Sequence, residues 1–101
     1  MFPERIYRGA TVLIEGDARK RDGRPFNLSG YRVILVIQDG ANRYLVEGGI
    51  TNAQEGKFQV TLDKNLTSVF NSNKVKYELV IANENSDYVC DQGEMDVRDR
   101  L

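Results

Sequence analysis

The sequence predicts an all-β fold, an antiparallel β-sandwich of about seven strands with one short helical turn. Apolar residues alternate with polar residues at a spacing of two in several segments, and turn-forming residues separate these segments at intervals of roughly 8 to 12 residues. Only one segment has helical spacing, which argues against a sheet built from alternating strands and helices. The 101 residues are predicted to form a single domain, 1–101, because a chain of this length fills one core.

Three strands are predicted in the first half of the chain. Val12 and Ile14 alternate with their neighbours between residues 10 and 15. The segment 32–38 has aliphatic residues on both faces, which is typical of a central or doubly covered strand. The Asp39-Gly40 turn then predicts a hairpin to a strand at 43–47, since glycine accepts the positive backbone angles of such turns.

The second half supplies one helical turn and four strands. Asp63 is placed to cap a turn in which Leu66, Val69 and Phe70 share one face. Strands are predicted at 58–62, 74–83, 88–90 and 95–98, with a turn at 91–94 between the last two. The alternation predicts a core made of Val12, Ile14, Val33, Leu35, Phe58, Val60, Leu62, Tyr77, Leu79 and Ile81.

Charge and composition argue against several classes of function. The formal net charge is −1 and the isoelectric point is about 5.4, so no cationic field favours nucleic acid or anionic lipid. The longest aliphatic run, 33–37, is far shorter than the roughly 20 residues of a membrane span. The first residues lack the basic start and apolar stretch of a secretory signal peptide. We therefore expect no nucleic-acid partner, no membrane association and no secretory signal.

Catalytic and metal chemistry are not predicted. The chain contains no histidine, which removes the commonest general base and metal ligand. Cys90 is the only cysteine, and we expect it to be buried as a small apolar residue that reacts slowly with thiol reagents. The expectation is no enzyme, no cofactor and no metal site.

Several polar clusters have both a functional and an ordinary interpretation. The basic loop 19–24 could meet an anion, but Asp17 and Asp22 dilute its charge. Asn27 and Asn65 match the glycosylation pattern and are better interpreted as turn and helix-start residues. Carboxylates near the C-terminus could suggest calcium, although their spacing matches no calcium loop; they are Asp87, Asp91, Glu94 and Asp96. The tyrosines outside the predicted core could line a sugar-binding groove if they were exposed together; they are Tyr7, Tyr31, Tyr44 and Tyr88.

The order of the turn and strand motifs resembles a known family. It is similar to the immunoglobulin-like N-terminal domains of tailed-phage baseplate and tail-fibre proteins, including the upper baseplate proteins. The segments that carry the resemblance are Ile6 to Gly9, Asp22 to Gly30, Val33 to Ile37, Gly56 to Leu62, Leu66-Thr67, Tyr77 to Leu79 and Gly93 to Val97. The sequence departs from the pattern at residues 73–76, where such domains often carry a glycine.

The resemblance implies an immunoglobulin-like sandwich with a non-enzymatic structural role in a phage or prophage tail or baseplate. Its partners would be other virion subunits or itself, and its location the virion, assembled in the host cytoplasm. The residues favour this in one respect, because Ile34, Val36, Val80 and Leu13 place aliphatic groups on faces that an isolated sandwich would expose to solvent. We expect a homo-oligomer with Ile34, Val36 and Val80 near a contact of roughly 1,000 Å² or more. Two alternatives stay open: scattered surface aliphatics that need no partner, and a carbohydrate- or ligand-binding sandwich that uses the loop tyrosines.

Overall fold

Alternating apolar side chains assemble two sheets face to face in a computed structural model that describes residues 2–101. Within these residues the chain forms eight strands and one short helix. The strands are β1 Arg5–Tyr7, β2 Val12–Asp17, β3 Arg32–Asp39, β4 Asn42–Glu47, β5 Gly49–Asn52, β6 Lys57–Leu62, β7 Lys74–Ala82 and β8 Asp87–Arg98, and the helix α1 is Lys64–Ser68. The all-β sandwich predicted from the sequence is confirmed.

The two sheets differ in size. The five-stranded sheet has the order β1-β8-β7-β3-β4, and the three-stranded sheet has the order β2-β6-β5. β3 pairs with β4 and with β7, so it is a central strand of the larger sheet, as its apolar residues on both faces predict. The β3–β4 hairpin turns at Gly40, whose φ of 57° suits the predicted turn.

The core lies between the two sheets. The inward side chains of β3 and β6 are nearly inaccessible, and eight of the ten predicted core residues are buried. Val12 and Tyr77 are only half-buried. Both pack against the core, but Val12 begins an edge strand, and the Tyr77 ring is also stacked on the Phe2 ring of the N-terminal segment, at 4.3 Å between centroids.

The helical turn forms where the sequence predicts it. Asp63 is its N-cap, and its Oδ1 accepts a hydrogen bond from the Leu66 N–H at 2.9 Å. Phe70 is buried and Leu66 half-buried, but Val69 is 49% exposed. The turn is too short to bury a whole helical face.

Several details differ from the sequence-based expectation. β1 and β5 are additional strands, and β1 pairs with β8 in parallel, whereas the sequence predicts an antiparallel sandwich. The segment 88–98 is one continuous strand instead of two strands with a turn at 91–94. A bulge between Leu79 and Val80 of the pairing absorbs one residue of β8. Gly93 serves close packing, because a Cβ there would lie 2.9 Å from the Tyr77 hydroxyl oxygen.

Candidate interaction surface

The outer face of the five-stranded sheet carries neighbouring aliphatic side chains from four strands. Ile34 lies directly opposite Val80 of β7, and Val80 lies opposite Val89 of β8. On the other side, Val36 lies opposite Leu45 of β4. We call these five residues, Ile34, Val36, Leu45, Val80 and Val89, the aliphatic strip.

The strip is accessible to solvent in the single chain. Leu45 is 68% exposed and Val89 is 56% exposed, while the other three members are half-buried between them. Directly opposed strand residues have Cβ atoms about 4.5–5.5 Å apart. Val36 is opposed by Leu45 on one side and by the exposed Glu78 on the other, so the strip passes along β3 from Val36 to Ile34 before it crosses to β7 and β8. The structure thus brings together the three residues expected near the contact, and adds one at each end.

Polar groups border the strip. At one end, Arg32 forms an ion pair with Glu47, which faces Ile34 across the hairpin. This guanidinium, by hydrogen bond and charge, holds the pKa of Glu47 below its ordinary value. At the other end lie Gln38 and Arg43, which oppose each other. An apolar centre with a polar rim is the usual composition of a protein–protein contact surface.

Two of the four cations of the basic loop form ion pairs within it. Arg19 pairs with Asp17 at 3.1 Å, and Arg24 pairs with Asp22 at 2.7 Å. The hydrogen bond from each arginine lowers the pKa of its aspartate. Asp17 and Asp22 therefore dilute the positive charge of the loop, as the sequence predicts.

The carboxylates that suggested calcium are distributed along β8. Asp96 lies beside Lys74 and Arg98 at 3.8 Å and 3.5 Å. Among residues 2–101, no group of three or more cysteine, aspartate or glutamate side chains is close enough to hold a metal ion. The same part of the chain contains no helix that is both long and apolar enough to cross a membrane.

The undecided tyrosines separate into three places. Tyr31 and Tyr88 meet Phe26 at one end of the sandwich, where the two tyrosine rings are tilted by 54°. Tyr44 packs against Phe70, and Tyr7 lies on β1. A flat sugar-binding platform needs rings that share one plane, whereas the rings of Tyr31, Tyr88 and Phe26 are all steeply inclined to one another.

Cys90 is exposed, so the expectation of a buried thiol is wrong. It lies in the bulged part of β8, where the alternation that would turn it inward is interrupted. Partial desolvation, followed by the negative charge of Asp91, raises the pKa of the thiol. Cys90 is therefore an exposed but weakly ionised thiol.

A buried carboxylate, which the sequence did not single out, fixes the end of β3. Asp39 is 2% exposed, and its two oxygens accept the backbone N–H groups of Asn71 and Ser72, each at 2.9 Å. Burial alone would raise the pKa of Asp39, but these hydrogen bonds outweigh it and hold the pKa below its ordinary value. Asp39 thereby ties the β3–β4 hairpin to the segment before β7.

Comparisons with known proteins bear on the fold. No protein-family model matches the chain, and no curated protein matches it. Among solved structures, the chain is similar to part of a Bacteroides vulgatus protein provisionally described as a glycoside hydrolase, with a TM-score of 0.61 and 12% sequence identity. The match covers 97% of this chain and 17% of that protein. At this identity the likeness shows a shared sandwich fold alone.

Proposed function

We propose that this domain is a non-enzymatic assembly module that acts through protein–protein contacts made by the aliphatic strip. The observation that supports the proposal is the continuity of the strip, since isolated surface aliphatics are common but a connected apolar row with a polar rim marks an interaction site. The outer strands at the strip are accessible, with Leu45 at 68% and Val89 at 56% exposure.

The setting we propose is a phage or prophage tail or baseplate, in a virion assembled in the host cytoplasm. The support for this setting is the order of turn and core motifs described above. In such a particle many copies of a small domain meet each other or neighbouring subunits, and the strip would lie in one of those contacts. When the domain is studied alone, such a contact would be detected as self-association.

A carbohydrate- or ligand-binding sandwich is the alternative function. Its support would be the meeting of Tyr31 and Tyr88, but the tilt between these rings favours packing over sugar stacking. The strip, by contrast, is the exposed aliphatic sheet face that an assembly module requires.

The test replaces Val36, which lies between Leu45 and Ile34 in the strip, with lysine. We expect sedimentation velocity to show concentration-dependent association of the wild type that Val36→Lys weakens, because the change places a desolvated cation in the contact. The matched control is Thr61→Lys, which changes another β-branched residue on a central strand, at an exposed position of β6 in the other sheet. A wild type that stays monomeric at about 1 mM, or a Val36→Lys protein that associates like the control, would contradict the proposal.

A further inference from the structure

β4 is an open edge of the five-stranded sheet. Within residues 2–101 it pairs with β3 on one side and with no strand on the other. It is six residues long and contains no proline, and its register with β3 is regular throughout. Two of the three other edges are guarded, since β1 has three residues and follows Pro3, and β5 has four residues and a bulge. Open edges of this kind accept another strand.

The register shows which backbone groups of β4 face outward. The Gly48 N–H donates to the Val33 carbonyl at 2.7 Å, directly beyond the paired residues Ile34 and Glu47. In an antiparallel pair, hydrogen-bonded and non-hydrogen-bonded positions alternate. Residues 42, 44 and 46 therefore bond to β3, and the N–H and C=O groups of residues 43, 45 and 47 face the open edge.

The side chains of these outward-bonding residues are complementary to themselves. Arg43 and Glu47 lie two residues on either side of Leu45, and all three are on the outer face with the aliphatic strip. If an antiparallel copy of β4 places Leu45 opposite its own counterpart, Arg43 of each copy lies opposite Glu47 of the other. Opposite charges that face each other across strands stabilise the pairing.

We infer that the partner of this sheet is a second copy of the chain, bound through β4 about a two-fold axis at Leu45. The two sheets then form one continuous sheet, and the two aliphatic strips join at their Leu45 ends. This inference goes beyond the proposed function, because the contact lies at the β4 edge of the sheet and includes only Leu45 of the aliphatic strip. An isologous contact of this kind closes as a dimer.

The alternatives fit less well. A register shifted by two residues places Arg43 opposite Leu45 and leaves one outward-bonding residue of each strand without a partner. The other six-residue edge, β2, carries the acids Glu15 and Asp17 and no cation, so an antiparallel copy centred on Glu15 would place like charges opposite each other.

Charge exchange across the two-fold axis provides the test. Arg43→Glu gives a strand with acids at both positions, and Glu47→Arg gives a strand with cations at both. We expect each variant alone to self-associate about tenfold more weakly than the wild type, and an equimolar mixture to form a heterodimer, because each facing pair is then opposite in charge. The double variant, Arg43→Glu with Glu47→Arg, regains the homodimer. Thermal unfolding of each variant confirms that it is folded, which matters for Glu47→Arg because Arg32 is its neighbour.

Sedimentation velocity with one variant fluorescently labelled separates the possible outcomes. A mixture that associates no more than either variant alone overturns the inference. Val80→Lys separates this failure from failure of the proposed function, because Val80 lies two strands from the edge. If Val80→Lys weakens association and the charge exchange has no effect, the face binds protein but the β4 pairing is wrong.

Amide exchange gives a second, residue-level readout. In the dimer, the amides of residues 43, 45 and 47 gain protection as protein concentration rises, whereas residues 44 and 46 already bond to β3. If the protection of all five amides rises equally with concentration, or if no amide gains protection, the proposed register is overturned.

Discussion

The two outer faces of the sandwich use surface aliphatics differently. On the three-stranded sheet, Leu13 is 56% exposed and stands opposite Thr61, next to the Glu15–Gln59 pair. On the five-stranded sheet, Val89 is equally exposed but continues into Val80 and the rest of the strip. The exposure of single residues does not separate the two faces, whereas the presence of aliphatic cross-strand neighbours does. The pairing register of the strands therefore decides whether exposed aliphatic residues on a sheet become neighbours and form a surface.

The largest expected effect comes from breaking the core that both faces share. Phe58 is 4% exposed on β6, between the two sheets. We expect Phe58→Ala to lower the free energy of unfolding by about 2–5 kcal/mol, because it empties a packed site. Urea denaturation measures this, with Thr61→Ala on the same strand as the exposed control. Equal midpoints for the two variants would show that the core is assigned wrongly.

The five-stranded sheet also depends on the Asp39 anchor. We expect Asp39→Asn to lower the free energy of unfolding by about 1–3 kcal/mol, since the amide cannot accept both N–H groups with two oxygens. The folded-state pKa of Asp39 lies below its unfolded value, so its contribution is fully present above the unfolded pKa and is lost as pH falls through the folded pKa. The stability of the Asp39→Asn variant should therefore fall less than that of the wild type as the pH is lowered through this range.

Denaturation of both proteins at several pH values between about 2 and 7 tests the assignment. Asp87→Asn is the control, because Asp87 is exposed at the start of β8. If Asp39→Asn and the wild type lose stability in parallel as pH falls, the carboxylate does not stabilise the fold in its charged form.

The smallest expected effect concerns the end of the strip, where Cys90 follows Val89 in the bulge. Native Cys90 should react with iodoacetamide at neutral pH, because it is exposed, but more slowly than an unstructured cysteine, because its pKa is raised. Asp91→Asn should speed the reaction by less than about tenfold, the factor for one pKa unit. The control Glu94→Gln should leave the rate unchanged. A native thiol that reacts only after unfolding would restore the buried interpretation.

Local patterning made much of this molecule predictable. The Asp39-Gly40 pair predicts the β3–β4 hairpin, but the two loop residues are Gly40 and Ala41, with Asp39 opposite Asn42. A loop at Asp39-Gly40 would have placed Val36 opposite Arg43 instead of Leu45. Local reasoning also fails for Val89, because the bulge shifts the β7–β8 register after Leu79. It fails for Cys90 for the same reason. The buried role of Asp39 depends on residues more than thirty positions away, which no local pattern records.

Methyl NMR on a dilution series tests the central claim most directly, that the aliphatic strip is the surface through which this domain binds protein. Leu13 serves as the internal control, since its exposure equals that of Val89. We expect the methyl signals of Leu45, Val36 and Ile34 to shift with concentration while those of Leu13 stay constant. Signals of the strip that do not move at about 1 mM, or that move no more than those of Leu13, would contradict the account.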